Sequence, residues 1–459
     1  MAGSSGANAL APTERCMMLD GVFKTAGNED GGILPPLDMM SLLRSLFPLP
    51  RSLTGNGVRA TLAMLKQHIP LDIHEVPTGT KVFDWDVPRE WNIRRATIKT
   101  LDGRVLVDFA NNNLHVVGYS VPVRGTFSRE ELATHIHTLP DQPDAIPYRT
   151  SYYAENWGFC LPHSLWQVMK DESYEVEIDS ELSDGSLTYG EFFIPGESDK
   201  EILISVHVCH PSLANDNLSG IVVATALARH FLAQTKPRFG IRLLFLPATI
   251  GAITWLAQNE DRLGRIAHGL VLTCIGDGGA FHYKKTVNGA EVDLAAEHVL
   301  RHSGHAFETL EFSPYGYDER QFGSPGIALP VGCLMRAIHG TFAEYHTSLD
   351  NCDFVTPEAL GQSFRLLVDL VDLLQQNATY RRVDGRGEPQ LGRRGLYRAI
   401  AGQKEAGGAS QMDLLWVLNQ CDGTRSLLDI AERAKAPFTR IRKAADLCLN
   451  AELITEVRP

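Results

Sequence analysis

ILISVHVCHPSLANDNLSG, residues 202–220, decides how this chain is built. Its first half is a short continuous apolar run, the pattern of a strand buried on both faces. Its second half is polar, and NLSGIVVATALARHFLAQ (217–234) then takes up helical spacing. FGIRLLFLPAT (239–249) is a second continuous apolar strand. Strand, crossover helix and strand make a βαβ unit, which implies a parallel sheet covered on both sides. GLVLTCIG (269–276) reads as a third such strand and 364–376 as a closing helix. In open sheets of this kind ligands bind beyond the carboxyl ends of the strands. His207, Cys209, His210 and Asp216 therefore gather where a site is expected. Imidazole and carboxylate together suit Zn²⁺, which takes N and O ligands at about 2.0–2.2 Å. Taken singly, Asp216 is explained as well by a helix N-cap, and the histidines by ordinary strand-end hydrogen bonds. Three candidate ligands within ten residues bring the two readings level.

Outward from this unit the pattern changes. Residues 36–69 carry helical spacing in MMSLLRSLF and VRATLAMLKQHI, separated by Pro48, Pro50 and Gly55. Residues 72–193 break into short alternating segments such as ATIKT, RVLVDFA and YEVEID, with Asp102-Gly103 and Asp184-Gly185 as turn dipeptides. RRVDGRGEPQLGRRG (381–395) reads as a linker, followed by three short helical segments. The expected organisation is a flexible leader over 1–35 and an α/β domain from 36–71 and 194–380. An inserted β-rich domain covers 72–193, a linker 381–394 and a small helical domain 395–459.

Composition sets outer bounds. Of 459 residues, 44% are hydrophobic and 21% charged, which excludes a disordered or fibrous chain. No apolar run approaches the roughly 20 residues of a membrane span, so no membrane partner is expected. The eight cysteines form no CxxC pair and read as reduced thiols in a cytoplasmic protein. The net charge of −12 argues against the whole molecule tracking nucleic acid. Residues 381–459 hold 14 Lys and Arg against 10 Asp and Glu, a net +4. That is thin for DNA readout, even though Arg440, Arg442 and Lys443 lie on one helix. Docking or self-association to a homo-oligomer is the expected use of the tail.

Two further polar clusters stand out. EYHTSLDN (344–351) places Glu344, His346 and Asp350 ahead of the last α/β helix, and YGYDERQF (315–322) has Asp318, Glu319 and Arg320 in a row. Alone, each reads as a polar loop. Asp318 and Glu319 could take an ammonium group and Arg320 a carboxylate, the two ends of a zwitterionic substrate. Tyr152, Tyr153 and Trp157 in SYYAENWGFC could wall a pocket, or else pack inside the β-rich insert.

The 202–220 stretch resembles the metal-binding segment of the M28-type zinc aminopeptidases, and YHTSLDN resembles their last histidine ligand in its Tyr-His-Thr setting. More closely, SLTGNGVR, VPTGTKVFDW, PDAIPYRTSYY, WGFC, LTYGE and YDERQF resemble a bacterial aminopeptidase-like subgroup. The resemblance covers about 36–457. It implies an α/β/α sandwich of the M28 zinc-peptidase type, with an inserted β-rich domain and a C-terminal winged helix. It implies one or two Zn²⁺ ions held by His207 or His210, by Asp216 and by His346, with Asp277 near another ligand position. A peptide or small molecule would be the substrate, and Glu319 would serve as a catalytic carboxylate.

The chain departs from the family at two places. The HxD pair reads His207-Val208-Cys209, so the acid that orients the imidazole is missing. The glutamate expected as general base is Ala248, and Thr249 replaces the next ligand. The main expectation is zinc-dependent hydrolysis of an amide or peptide bond by a chain that is inactive, or inactivated, at position 248. The rivals are a small-molecule amidase or deacylase of a biosynthetic pathway, and a pseudoenzyme or regulator that binds through its winged helix.

Overall fold

The computed structural model describes residues 37–234, 236–396 and 409–457, with the short strands Ala26–Gly27, Ile33–Leu34 and Glu405–Ala406. The expected leader, apart from two of these strands, lies outside the described residues. Eight strands form the main sheet. In spatial order they are Phe307–Leu310, Phe281–Lys284, Val331–Met335, Ile266–Leu272, Glu201–His207, Gly240–Leu246, Ser186–Ile194 and Asp72–Pro77. The central four are mutually parallel, as the βαβ reading requires.

The alternation of side chains across the pleat explains the apolar runs. Ile202, Ile204 and Val206 point into one core with Ile241, Leu243 and Phe245, while Leu203, Leu244 and Leu246 point into the other. Gly220–Leu232, Glu291–His302, Pro357–Gln376, Met39–Leu46 and Asn56–Lys66 cover the first face, and Ile250–Gln258 the second. The closing helix starts at Pro357, seven residues before the expected 364. Thr356 caps it by accepting from Ala359 N at 3.1 Å, and proline at the first position has no N–H to leave unpaired.

Two boundaries move. Asp72–Pro77 and Ser186–Ile194 pair with each other, and the latter pairs with Gly240–Leu246, so both ends of the expected 72–193 insert belong to the main sheet. The insert proper lies between them. It is a four-stranded antiparallel sheet of Val105–Asp108, Glu90–Thr100, Ser173–Ser183 and Val123–Ser128 around Ile98, Phe159, Val176 and Ile178. Likewise the expected linker begins inside a strand. Thr379–Arg382 is the middle strand between Asp422–Ser426 and Ile454–Glu456. Gln411–Gln420, Leu427–Ala434 and Phe438–Asn450 complete this C-terminal unit. The Ser426/Asp429 capping box read from the sequence starts its second helix. Among the described residues no helix is long and apolar enough to cross a membrane.

Candidate metal centre

His207 is the last residue of its strand and lies beside Leu246 of the next one. The chain then turns through His210 and Pro211 into a buried loop that ends at Ser219. Asp216 in this loop is fully buried, and three imidazoles converge on its carboxylate. His207 Nε2 lies 2.8 Å and His210 Nδ1 3.5 Å from Oδ1, and His346 Nε2 lies 3.0 Å from Oδ2. Burial alone would raise the Asp216 carboxyl, yet His210, His207 and His346 together hold it well below the usual carboxylate range. Burial keeps His346 neutral below the normal histidine range, against the pull of Asp216.

The donor set fits a zinc ion. His207 Nε2 and His210 Nδ1 are 3.1 Å apart. Neighbouring ligand atoms around a tetrahedral ion with bonds of about 2.0–2.1 Å are separated by about 3.3 Å. His207, His210 and Asp216 form the group among the described residues whose donor atoms lie mutually within 4.8 Å. His346 approaches the opposite carboxylate oxygen and stands outside that mutual group.

Asp277 is brought near but not into this group. Its Oδ1 accepts from Gly279 N at 2.7 Å, and Oδ2 accepts from Asn215 Nδ2 at 2.9 Å and Ala337 N at 3.1 Å. Its carboxylate braces the loop that carries Asp216 through Asn215, and it lies outside the mutual donor group of His207, His210 and Asp216. The carboxylate missing from HxD is replaced by an amide. Asn217 Nδ2 lies 3.3 Å from His207 Nδ1 and donates to Leu272 O at 2.9 Å, while its Oδ1 accepts from Gly220 N at 3.1 Å.

Aromatic rings line the group. Tyr317 stacks on His207 with centroids 4.8 Å apart, Tyr345 stacks on His346 at 3.9 Å, and Tyr317 Oη donates to Tyr345 Oη at 3.3 Å. Tyr148 meets His210 and His346 edge-on. Tyr152 packs on the same side as Ala248 and has its phenol beside that of Tyr148. Trp157, by contrast, stacks on His135 at 3.7 Å within the insert and packs against the insert core. Its expected place in the pocket wall is corrected: its flat ring is taken up inside the insert.

In the Asp318-Glu319-Arg320 run the two acids are buried and the arginine is half-buried, so it is not a solvated turn. Glu319 Oε1 lies 2.5 Å from Lys284 Nζ in a buried ion pair, and Lys284 also donates to Tyr315 O at 2.9 Å. Gly316 passes over this pair, where a Cβ would come within 2.5 Å of Lys284 Nζ. Glu319 therefore anchors its own loop. Asp318 Oδ1 and Arg320 Nε have no hydrogen-bond partner. Burial first, and Glu319 second, push the Asp318 carboxyl up to about 7. Ala248 follows the strand beside His207, and its carbonyl faces Cys209 Sγ at 3.6 Å.

Sequence reasoning missed Arg51, Tyr148 and Asn217. Arg51 is buried with no carboxylate beside it. It donates from Nε to His210 O at 3.0 Å and from Nη1 to Leu46 O, joining the His210 turn to the negative end of the Met39–Leu46 helix. Arg51 precedes SLTGNGVR and Tyr148 lies in PDAIPYRTSYY, so the family-like segments were the available signal.

The mixed α/β sheet, with its polar cluster beyond the strand ends, has a fold that resembles the M28 peptidases. The Bacillus subtilis zinc aminopeptidase BSAP shares the fold at 13% identity and a TM-score of 0.52, over 72% of this chain and 93% of that one. The chain belongs to the family described as "Domain of unknown function (DUF4910)", matched over residues 40–377, followed by a winged helix-turn-helix over 378–456. It is 48% identical over 428 residues, 93% of this chain and 97% of the other, to a Clostridium acetobutylicum protein described as "Putative polysaccharide biosynthesis protein with aminopeptidase-like domain". A crystal structure of a "putative peptidase" from that organism matches at 47% identity and a TM-score of 0.87, covering 92% of this chain and 96% of that one. The chain thus carries an aminopeptidase-like domain and a C-terminal winged helix.

Proposed function

We propose that the chain binds one Zn²⁺ through His207, His210, Asp216 and His346 and acts on an amide or peptide bond. The convergence of three imidazoles from two loops on one fully buried carboxylate carries this reading. With Asp277 engaged elsewhere and threonine at 249, the residues support one ion better than two.

A Zn²⁺ held there supplies Lewis acidity toward a substrate carbonyl and makes water nucleophilic near neutral pH. The chain's own residues do the rest. Asp216, held in its ionised form by the surrounding imidazoles, and the three histidine rings supply the donor atoms. Tyr148, Tyr152, Tyr317 and Tyr345 keep their phenol protons, because burial raises all four above the usual range, and they exclude water. Asp318 has an unpartnered Oδ1 and a carboxyl raised to about 7 by burial, so a substrate ammonium placed there would supply the counter-charge that lets it ionise. Ala248 offers no proton acceptor, and a positioned base typically contributes about 10²–10⁴-fold, so turnover by this chain is slow.

The relative's description favours a second reading of the same site: an amidase or deacylase acting on a small molecule in polysaccharide biosynthesis. A nucleic-acid role draws less support. Arg440 is paired with Asp413 at 2.9 Å, and Arg442 is taken up by Asp446 and Tyr380, so two of three clustered basic residues already have partners within the chain.

Elemental analysis tests the metal. At least about one zinc per chain is expected, lost in Asp216→Ala and His346→Ala. Unchanged zinc in both variants overturns the ligand set. Amine release from a panel of peptides and acylated amino sugars then separates the two substrate readings.

A further inference from the structure

The insert meets the α/β unit at the loop that carries His346. Pro147 bridges Thr347 in antiparallel register, Tyr148 N donates to His346 O at 2.7 Å, and Ser348 N donates to Ile146 O at 2.9 Å. Ile146 N also donates to Ser348 Oγ at 2.9 Å, and Gln142 Nε2 reaches Ala343 O at 2.9 Å. His346 itself has a φ of 55°, a conformation that a non-glycine residue keeps only when its surroundings enforce it. Much of that enforcement comes from the extended segment 146–148 of the insert, which pairs with the His346 loop through an isolated bridge.

The Tyr148 side chain extends the same contact. Its ring stands edge-on to His210, with centroids 5.2 Å apart and an interplanar angle of 86°. It stands edge-on to His346 at 5.1 Å and 85°. The two imidazoles are themselves 5.1 Å apart. One ring therefore fills the wedge between histidines that arrive from loops about 136 positions apart in the chain. Tyr345 covers the face of His346 at 3.9 Å. Without Tyr148 both imidazoles would regain rotamer freedom that ligation must then remove.

We infer that the insert completes the metal site, and that Tyr148 is the positioning residue that holds His210 and His346 in convergence on Asp216 through its ring. This rests on the reading of that group as a zinc site. The hydroxyl is not required, since both histidine contacts are made by the ring.

The experiment measures zinc affinity of the full chain by chelator competition, and the visible spectrum of the Co²⁺-loaded chain as a report on ligand geometry. Tyr148→Ala is expected to weaken zinc by about 10-fold or more and to alter the cobalt spectrum, while Tyr148→Phe keeps both within about twofold. Tyr148→Leu, of similar bulk but without a planar ring, replaces the alanine variant if that one fails to fold, and should also weaken zinc. Unchanged affinity in the alanine or leucine variant overturns the inference and leaves the zinc reading standing. Loss in the phenylalanine variant equal to that in alanine moves the role to the hydroxyl and overturns the ring assignment. Should the unaltered chain bind zinc no better than Asp216→Ala, the reading of the site falls, and this inference with it.

Discussion

Asp350 holds the backbone of Asp216: its Oδ2 accepts from Asp216 N at 2.9 Å, while Oδ1 accepts from Asn215 N at 2.6 Å. Its own carbonyl accepts from Ala214 N at 3.0 Å, so the loop that presents Asp216 is tied three times to one residue from the His346 segment. Two parts of the site distant in sequence are thereby made into one unit.

Removing that carboxylate leaves two buried N–H groups unpaired, each costing about 1–3 kcal/mol. Asp350→Ala is expected to lower stability by at least about 2 kcal/mol in urea unfolding and to weaken zinc by about 10-fold or more. Asp350→Asn, which keeps one acceptor oxygen, should lose less. Equal zinc affinity in the alanine variant and the parent would refute the coupling.

Position 248 tests the chemistry. Leu246 is in register with His207, so residue 248 opens on the crevice of the histidine group. Ala248→Glu is expected to raise amide hydrolysis by about 10²-fold or more, and Ala248→Gln, equal in size but not basic, to leave it unchanged. If zinc is bound and neither variant hydrolyses any amide tried, the hydrolase mechanism gives way to a binding role.

The winged helix is docked through a histidine. His298 Nε2 accepts from Phe438 N at 2.9 Å, and Nδ1 faces Glu432 Oε1 at 2.5 Å, with Arg301 and His302 also beside it. Burial lowers its affinity for a proton, against the pull of Glu432. A histidine depressed in the folded state contributes stability above its unfolded pKa of about 6.5, and loses it as pH falls below that value. Protonation would also take Nε2 from Phe438. The melting temperature should therefore fall more steeply between pH 7.5 and 5.5 in the parent than in His298→Gln. Parallel curves would exclude His298 as the cause.

Truncation tests the boundary. A chain ending at 385 keeps Thr379–Arg382 but removes the strands on both sides of it, leaving two bare edges. A chain ending at 377 removes the whole three-stranded sheet. The shorter chain is expected to stay monodisperse in light scattering and the longer one to aggregate. The reverse order would place the boundary beyond 385.

The sequence by itself determined the parallel core, the winged helix's capped second helix and the identity of the polar residues beyond the strand ends. Continuous apolar runs, a Ser–Asp capping box and clustered histidines are local signals, legible over a few residues. The family resemblance marked 248 as the place of an expected base, an expectation that alanine by itself carries no signal of. Only the tertiary structure decided which polar residues gather around the Asp216 carboxylate. Asp277 turned away to Asn215, Trp157 went into the insert, and Glu319 paired with Lys284, each because its partner lies on another element. Arg51 and Tyr148 reached the site for the same reason. Hydrogen-bond and ring partners are set by three-dimensional neighbours, and the pairing of 146–148 with 346–348 spans about two hundred residues that no local pattern connects.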